Sequence, residues 1–450
     1  MAVALIILAA GKGTRMMSDL PKVLHEIAGG SLLVHAMMSG SNLEPERTVV
    51  IAGHEATTVG AAALAYDNGT IVVIQEKQLG TGHAVLQARE ALADFDGDVI
   101  VLYGDTPFIK SGTLDAMLSA RTESDVVVLG FEAVDPGRYG RLIMEGETLQ
   151  RIVEFKDATD KERTIQLCNS GVILAKADVL FDLLDAVSDD NLACEYYLTD
   201  TIGIASARGL ITTVVRCDET ETVGINSRME LASAEAMFQV NARKNAMANG
   251  VSLHAPDTVY FSHDTYIGPD TVVEPNVVFA VGVTVENNAT IRSFSHLEGC
   301  HVSRGSVIGP YARLRPGAEL AENVKIGNFV EIKNAVIEAD VKINHLSYIG
   351  DAHVGERTNI GAGTITCNYD GVSKHSTTIG KGVFIGSNTM LVAPVKLGDE
   401  SMTASGTVVT KNVPEGDMAV GRARQENKSG FARRIMQRFK SCADSTQKEP

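Results

Sequence analysis

The sequence predicts two unlike folds in tandem. The first is an α/β domain with a Rossmann-like, mostly parallel sheet over residues 1–226; the second is an all-β parallel β-helix over 251–450, and a helix at 227–250 joins them. Three observations predict this. Short apolar runs alternate with helical stretches up to about residue 225, the pattern of a parallel sheet covered by helices. Residues 227–249 hold neither Pro nor Gly and are rich in Ala, Met and Glu, and Gly250 is a natural stop. From about 251 to 421 an aliphatic residue recurs every six positions, often followed by Gly, the hexapeptide signature of a β-helix. A chain of 450 residues is also too long for one ordinary core.

In the first half, strands are expected at Val3–Ala9, Thr48–Ala52, Ile71–Gln75, Asp98–Tyr103, Asp125–Phe131 and Gly171–Leu174. Helices are expected at Gly82–Leu92 and Ser111–Ala120. Ligands of open α/β sheets sit outside the carboxyl ends of the strands, so the chemistry belongs there.

In the second half the clearest unbroken run is Ile308, Leu314, Leu320, Ile326 and Ile332. The period returns at Val354 and Ile360, then at Ile379, Ile385, Leu391 and Leu397. Each hexad supplies one face, and three faces make a coil of 18 residues. One coil cannot bury its interior alone, so stacking creates the core. The spacing shortens to 11 at Leu297–Ile308 and Ile332–Ile343, where turns are trimmed. It stretches to 19 at Ile360–Ile379, around the polar segment Cys367–Ser376. That segment reads as a loop thrown out of a coil, a usual place for function.

Hydrophobic content of 44% and charged content of 21% fit a globular protein. The net charge of -16 argues against nucleic acid as the main partner, because phosphate neutralisation needs a basic surface. Anionic substrates would therefore need local basic islands. Six scattered cysteines without a C-x-x-C pair favour free thiols in a reducing compartment. The apolar start Met1–Ala10 lacks the basic flank of a signal peptide. It also falls short of the roughly 20 residues that span a bilayer. The expected location is the cytoplasm, with no membrane partner.

The first strand runs into Leu8-Ala-Ala-Gly-Lys-Gly-Thr-Arg-Met16. Two glycines let the backbone pass close to a phosphate chain, while Lys12, Arg15 and the following Lys22 supply charge. The dinucleotide G-x-G-x-x-G pattern fails at Met16, and the P-loop pattern fails for want of Gly-Lys-Ser/Thr. In the β-helix, Arg315 and Lys333 lie 18 residues apart in unbroken phase. They should stand on one face in successive coils, roughly 4.8 Å apart. Opposed like charges are unfavourable unless an anion lies between them, and a bound phosphate is the natural partner. Two cations splaying into water would satisfy the spacing equally well.

The nine-residue string resembles the signature of the sugar-phosphate nucleotidyltransferases. Gln78-Leu-Gly-Thr-Gly-His-Ala84, Leu102-Tyr-Gly-Asp-Thr-Pro107, Tyr139-Gly-Arg141, Ile152-Val-Glu-Phe-Lys156, Asn169-Ser-Gly171 and Glu195-Tyr-Tyr-Leu-Thr-Asp200 follow in the expected order. With the β-helix behind them, nearly the whole chain is similar to the family of bifunctional N-acetylglucosamine-1-phosphate uridyltransferase/glucosamine-1-phosphate acetyltransferases.

That resemblance implies roles for particular residues. Leu8, Ala9, Ala10, Gly11, Gln75, Gly80 and Thr81 would hold the uridine nucleotide, and Arg15 and Lys22 its phosphates. Tyr103 and Gly104 belong to the same set, and Asp105 would share one Mg²⁺ with Asn226. The metal prefers hard oxygen donors and commonly takes one or two protein groups plus substrate phosphates. Gly140, Glu154 and Asn169 would contact the N-acetylglucosamine portion. In the β-helix, Arg315 and Lys333 match positions that bind the sugar 1-phosphate, and Tyr348 and Asn359 match sugar contacts. His345 matches the general base, since an incoming amine must lose a proton to attack a thioester and imidazole suits that task. Ala362, Asn368, Tyr369, Ser387, Ser405 and Arg422 match acetyl-CoA contacts, with Ser405 standing where the family pattern carries Ala. The looped segment with Lys374 belongs to the same site. Residues 422–440 carry seven basic residues against Glu426, expected beyond Arg422 to be a solvated helix.

The implied activity is N-acetylation of glucosamine-1-phosphate by acetyl-CoA. UMP transfer from UTP to N-acetylglucosamine-1-phosphate follows, in the service of cell-wall and lipopolysaccharide precursors. The resemblance further implies a left-handed β-helix and a homotrimer. A single-activity pyrophosphorylase would not need His345, Tyr348 or the Asn368–Lys374 loop. A regulatory subunit without turnover would not need the Arg15, Lys22, Asp105 and Asn226 set.

Overall fold

The computed structural model describes residues 2–446. Packing divides the chain into two units. One runs to Asn245 and takes in Tyr260–Thr265; the other comprises Ala246–Val259 and continues from Tyr266.

The first unit is built on a twisted sheet. Its spatial order is Thr212–Cys217, Val126–Glu132, Leu167–Lys176, Asp98–Tyr103, Val3–Ala9, Arg47–Ala52, Ile71–Ile74. All neighbours in this order are parallel except Leu167–Lys176, which is antiparallel to both strands beside it; off this order it also pairs antiparallel with Arg141–Glu145, which forms a hairpin with Thr148–Val153. This ten-residue strand is longer than the expected Gly171–Leu174, because its irregular register between Asn169 and Ile173 hides the period. Near-continuous Val, Ile and Leu runs arise because both faces are covered. Leu5, Ile7, Val50 and Ile100 pack on one side, and Ile6, Val49, Ile51 and Val101 on the other. The Gly82–Leu92 expectation resolves into a helix at Thr81–Leu86 and a separate short turn at Glu90–Leu92.

The long helix spans Arg228–Ala248 and ends before Gly250, whose φ is +89°. Gln239 on this helix is buried, and its amide exchanges two hydrogen bonds with the backbone of Phe261, at 2.7 and 2.9 Å.

The second unit is a left-handed parallel β-helix. Three columns of inward side chains run along it. Ile291, Ile308, Ile326, Ile343 and Ile360 stack in one, and Val302, Leu320, Ile337, Val354 and Ile379 in another. Leu297, Leu314, Ile332 and Ile349 form the third. All are buried. The corners are left-handed, and at Phe294, Tyr311 and Phe329 they carry stacked aromatic rings 4.9 and 5.2 Å apart. The shortened spacings are coils of 17 residues, as in the pairing of Glu331 with Tyr348. The stretched one adds a loop that returns through hydrogen bonding of His375 N to Asn368 O at 2.8 Å. Among the described residues no helix is long and apolar enough to cross a membrane, and Cys168, Cys194, Cys217, Cys300 and Cys367 form no disulfide.

Candidate active sites

In the first unit, Val3–Ala9 is flanked by Arg47–Ala52 and Asp98–Tyr103, and the carboxyl ends of Val3–Ala9 and Asp98–Tyr103 open onto a cavity of about 260 Å³. Leu8, Ala9, Ala10, Gly11, Lys22, Gln75, Gly80, Thr81, Tyr103 and Asp105 line it, as do Gln78 and Glu195. A Cβ added to Gly11 would meet nothing within 4 Å, so bare backbone faces open space there. Gly13 is different. Its φ is +58°, and a Cβ would lie 2.4 Å from Cβ of Lys22, so the loop closes down on that lysine.

The Lys22 ammonium donates to the Asp105 carboxylate and, at 3.0 Å, to the amide oxygen of Asn226. A carboxylate and a carbonyl oxygen from distant parts of the chain thus converge on one cation. Asn226 is held by its own backbone N–H, which donates to Glu230 at 2.6 Å, and Arg228 ties the helix start to the Met16 carbonyl at 3.3 Å. Arg15 lies in an adjoining cavity of about 530 Å³ with Asn226, Glu230 and Arg138. Arg138 sits in a turn and carries no signal in the sequence.

On one side of this cavity, the Gln75 amide nitrogen contacts the Gly80 carbonyl at 3.2 Å and His83 Nδ1 at 2.9 Å. Thr81 Oγ1 accepts from the Leu198 N–H at 3.1 Å. Gly104 N–H donates to Leu8 O at 3.0 Å, joining the two central strand ends. On the other side Gly140, Glu154 and Asn169 come together. A Cβ on Gly140 would stand 3.6 Å from Glu154 Oε1 and from Asn169 Cβ, and Asn169 N–H donates to Gly140 O at 2.9 Å. Burial pushes the Glu154 carboxyl up, with Asp200 and Asp157 adding to it against the 3.1 Å hydrogen bond from Thr199. Removal from water likewise raises the Tyr103 hydroxyl, aided by Glu154 and Asp105.

In the β-helix, the Arg315 N–H donates to Ile332 O at 2.9 Å, which sets Arg315 beside Lys333 across adjacent coils. Glu331 accepts from Arg315 at 2.9 Å, so part of the opposed charge is met internally. The extruded loop adds a third cation. The Lys374 ammonium, and after it Arg315, hold Lys333 below its ordinary value. Asp351 accepts from Asn334 at 2.6 Å and from Asn368; burial pushes its carboxyl up, but these bonds and the lysines bring it below the usual range. Asn368 also lies 3.4 Å from the Tyr348 hydroxyl. Asp370 is lowered chiefly by the backbone N–H of Ser373 and by His375, which stiffens the loop.

His345, Ala362, Ser387, Ser405 and Arg422 fall on one corner line in successive coils. Backbone bonds record this: Gly363 N to His345 O at 3.1 Å, Asn388 N to Ala362 O at 2.6 Å and Gly406 N to Ser387 O at 2.8 Å. Arg422 donates to Ser405 O at 2.6 Å. Asn359 stands on the adjoining face, paired with Lys342, and Tyr369 is exposed with its hydroxyl on Gly371 O at 2.6 Å. His345 is exposed, and its Nδ1 lies 2.8 Å from Asn328 Oδ1. Asn328 and Asp351 were not singled out by motif, although Asn328 lies one coil before His345 and periodicity alone leads to it.

Residues 5–170 match the MobA-like NTP transferase domain, and residues 376–411 match the bacterial transferase hexapeptide model of six repeats. Fold and sites thus define a nucleotidyltransferase fused to a hexapeptide-repeat acyltransferase. Over the full length, the Bifunctional protein GlmU of Ruegeria sp. (strain TM1040) is 64% identical over 436 residues, 97% of each chain. That of Roseobacter denitrificans is 63% identical over 436 residues, again 97% of each, and that of Ruegeria pomeroyi 63% over 449, 100% of each. The chain belongs to the bifunctional GlmU family. It is an enzyme with two activities, which acetylates glucosamine-1-phosphate and transfers UMP from UTP to the product, making UDP-N-acetylglucosamine.

Proposed function

We propose that the cavity of the first unit carries uridylyl transfer and the corner line of the β-helix carries acetyl transfer, on the residues described above. The observation that supports this most directly is the convergence of Asp105 and Asn226 oxygens on the Lys22 ammonium. Two hard oxygens already gathered around a positive charge suit a divalent cation, and Mg²⁺ is the ion we assign to them. When bound, it would offset charge on the phosphates. Lys22, thus released, and Arg15 would then face the triphosphate, while the bare backbone at Gly11 lets the nucleotide approach. A phosphate oxygen of N-acetylglucosamine-1-phosphate attacks the α-phosphorus of UTP and pyrophosphate leaves. No protein nucleophile is needed, so the residues position and neutralise.

In the β-helix, Arg315, Lys333 and Lys374 supply the basic island that an acidic chain needs to hold a sugar phosphate. His345 takes the amine proton, Tyr348 and Asn359 hold the sugar, and acetyl-CoA lies along Ala362, Ser387, Ser405 and Arg422 with Asn368 and Tyr369. The protein is a cytoplasmic homotrimer, with domains at 1–226 and 251–450 and a linker helix at 227–250. Both half-reactions assayed on wild type, Asp105→Ala and His345→Ala test the division. Asp105→Ala should abolish only uridylyl transfer and His345→Ala only acetyl transfer; loss of both from either change sinks it.

A further inference from the structure

Asn328 closes the strand Lys325–Asn328 and pairs with His345 in the next coil. Its Oδ1 lies 2.8 Å from His345 Nδ1. An amide oxygen can only accept, so the proton of a neutral imidazole in this contact sits on Nδ1 and the lone pair on Nε2. The backbone around the ring is fixed as well. Leu346 N–H donates to Asn328 O at 3.1 Å, Gly363 N–H to His345 O at 3.1 Å, and the Ser347 hydroxyl to the same carbonyl at 2.9 Å. Among the described residues, Asn328 is the side chain hydrogen-bonded to this exposed ring. Lys325 and Lys342 on the same face, and Glu331 and Lys333 on the next, make no hydrogen bond to it. Without Asn328 the imidazole would be free to exchange tautomers and rotamers in water.

We propose that Asn328 is a positioning residue for acetyl transfer, fixing His345 as the Nδ1–H tautomer so that Nε2 is the proton acceptor. This rests on His345 being the base. The amine nitrogen forms the C–N bond to the acetyl carbon, and its proton passes to Nε2. The C–S bond breaks, the coenzyme A sulfur leaves with the electron pair, and the Nε2 proton passes to that sulfur. A neutral amide suits the role, because a carboxylate in its place would favour the imidazolium and keep the base protonated.

The test uses the full-length enzyme, with uridylyl transfer as the internal measure of folding. Asn328→Ala should lower kcat of acetyl transfer about 10- to 100-fold, leave both KM values within about threefold, and spare uridylyl transfer. Asn328→Asp keeps the acceptor. It should recover much of the rate at alkaline pH while moving the acidic limb of kcat/KM to higher pH. Wild-type kcat in Asn328→Ala, or an unmoved limb in Asn328→Asp, overturns the inference. If Asn328→Ala loses both activities, the limb in Asn328→Asp decides. Retained acetyl transfer in His345→Ala would instead remove the base assignment itself.

Discussion

In the α/β unit Lys22, Asp105 and Asn226 lie beyond the strand ends, in the segments that connect elements, whereas in the β-helix Asn328, His345 and Ala362 stand on the coils themselves. Lys22 meets Asp105 across 83 residues of sequence and Asn226 across 204. Asn328, His345 and Ala362 follow one another at single-coil intervals. The first arrangement depends on a few permissive backbone positions, the second on register. Each should therefore fail in its own way.

The largest effect is expected from one residue inserted after Asp340, at a left-handed corner of the β-helix. It would turn Ile343 outward and displace His345, because a one-residue slip exchanges the two faces of a strand. Acetyl transfer should vanish in an assay where uridylyl transfer survives. Next in size, Ile343→Ala removes a fully buried side chain and should destabilise the β-helix by about 2–5 kcal/mol in denaturant titrations, with little effect on UTP turnover.

Gly13→Ala probes the loop-built site. Its left-handed φ and the clash with Lys22 should weaken uridylyl transfer by about tenfold, roughly 1–2 kcal/mol, and leave acetyl transfer alone. Normal uridylyl transfer in this variant would mean that the loop does not position Lys22. The smallest effect concerns Glu154. Burial holds its carboxyl above the usual range, so the folded state binds its proton more tightly than the unfolded chain. The associated stability is present below the unfolded value and is lost as pH rises through the folded one. Glu154→Gln should therefore raise the melting temperature at neutral pH while raising KM for the sugar phosphate. An unchanged KM would place the carboxylate outside the sugar contact.

The β-helix was legible because its core is periodic: Ile308 to Ile332 announce a face every six residues, and stacking follows. The cation cluster was half legible. Arg315 and Lys333 share a phase, but Lys374 reaches them from a loop whose path has no period. In the α/β unit, strand existence was readable from apolar runs, yet the antiparallel direction of Leu167–Lys176 was not, since both directions bury both faces. The Lys22, Asp105 and Asn226 group was nameable from motifs, but spacing says nothing of its convergence. Arg138 left no trace, because a solitary arginine in a turn looks like any solvated charge.

The backbone ladder of the β-helix has a consequence for how this protein can change. Every corner group along the line from Asn328 to Arg422 advances by one rung per coil. Such a scaffold is a ruler graduated only in whole turns. The span between His345 and Ser405 cannot drift by fractions as substitutions accumulate, so rungs can be added or lost beyond either end of the line without resetting the separation at its middle.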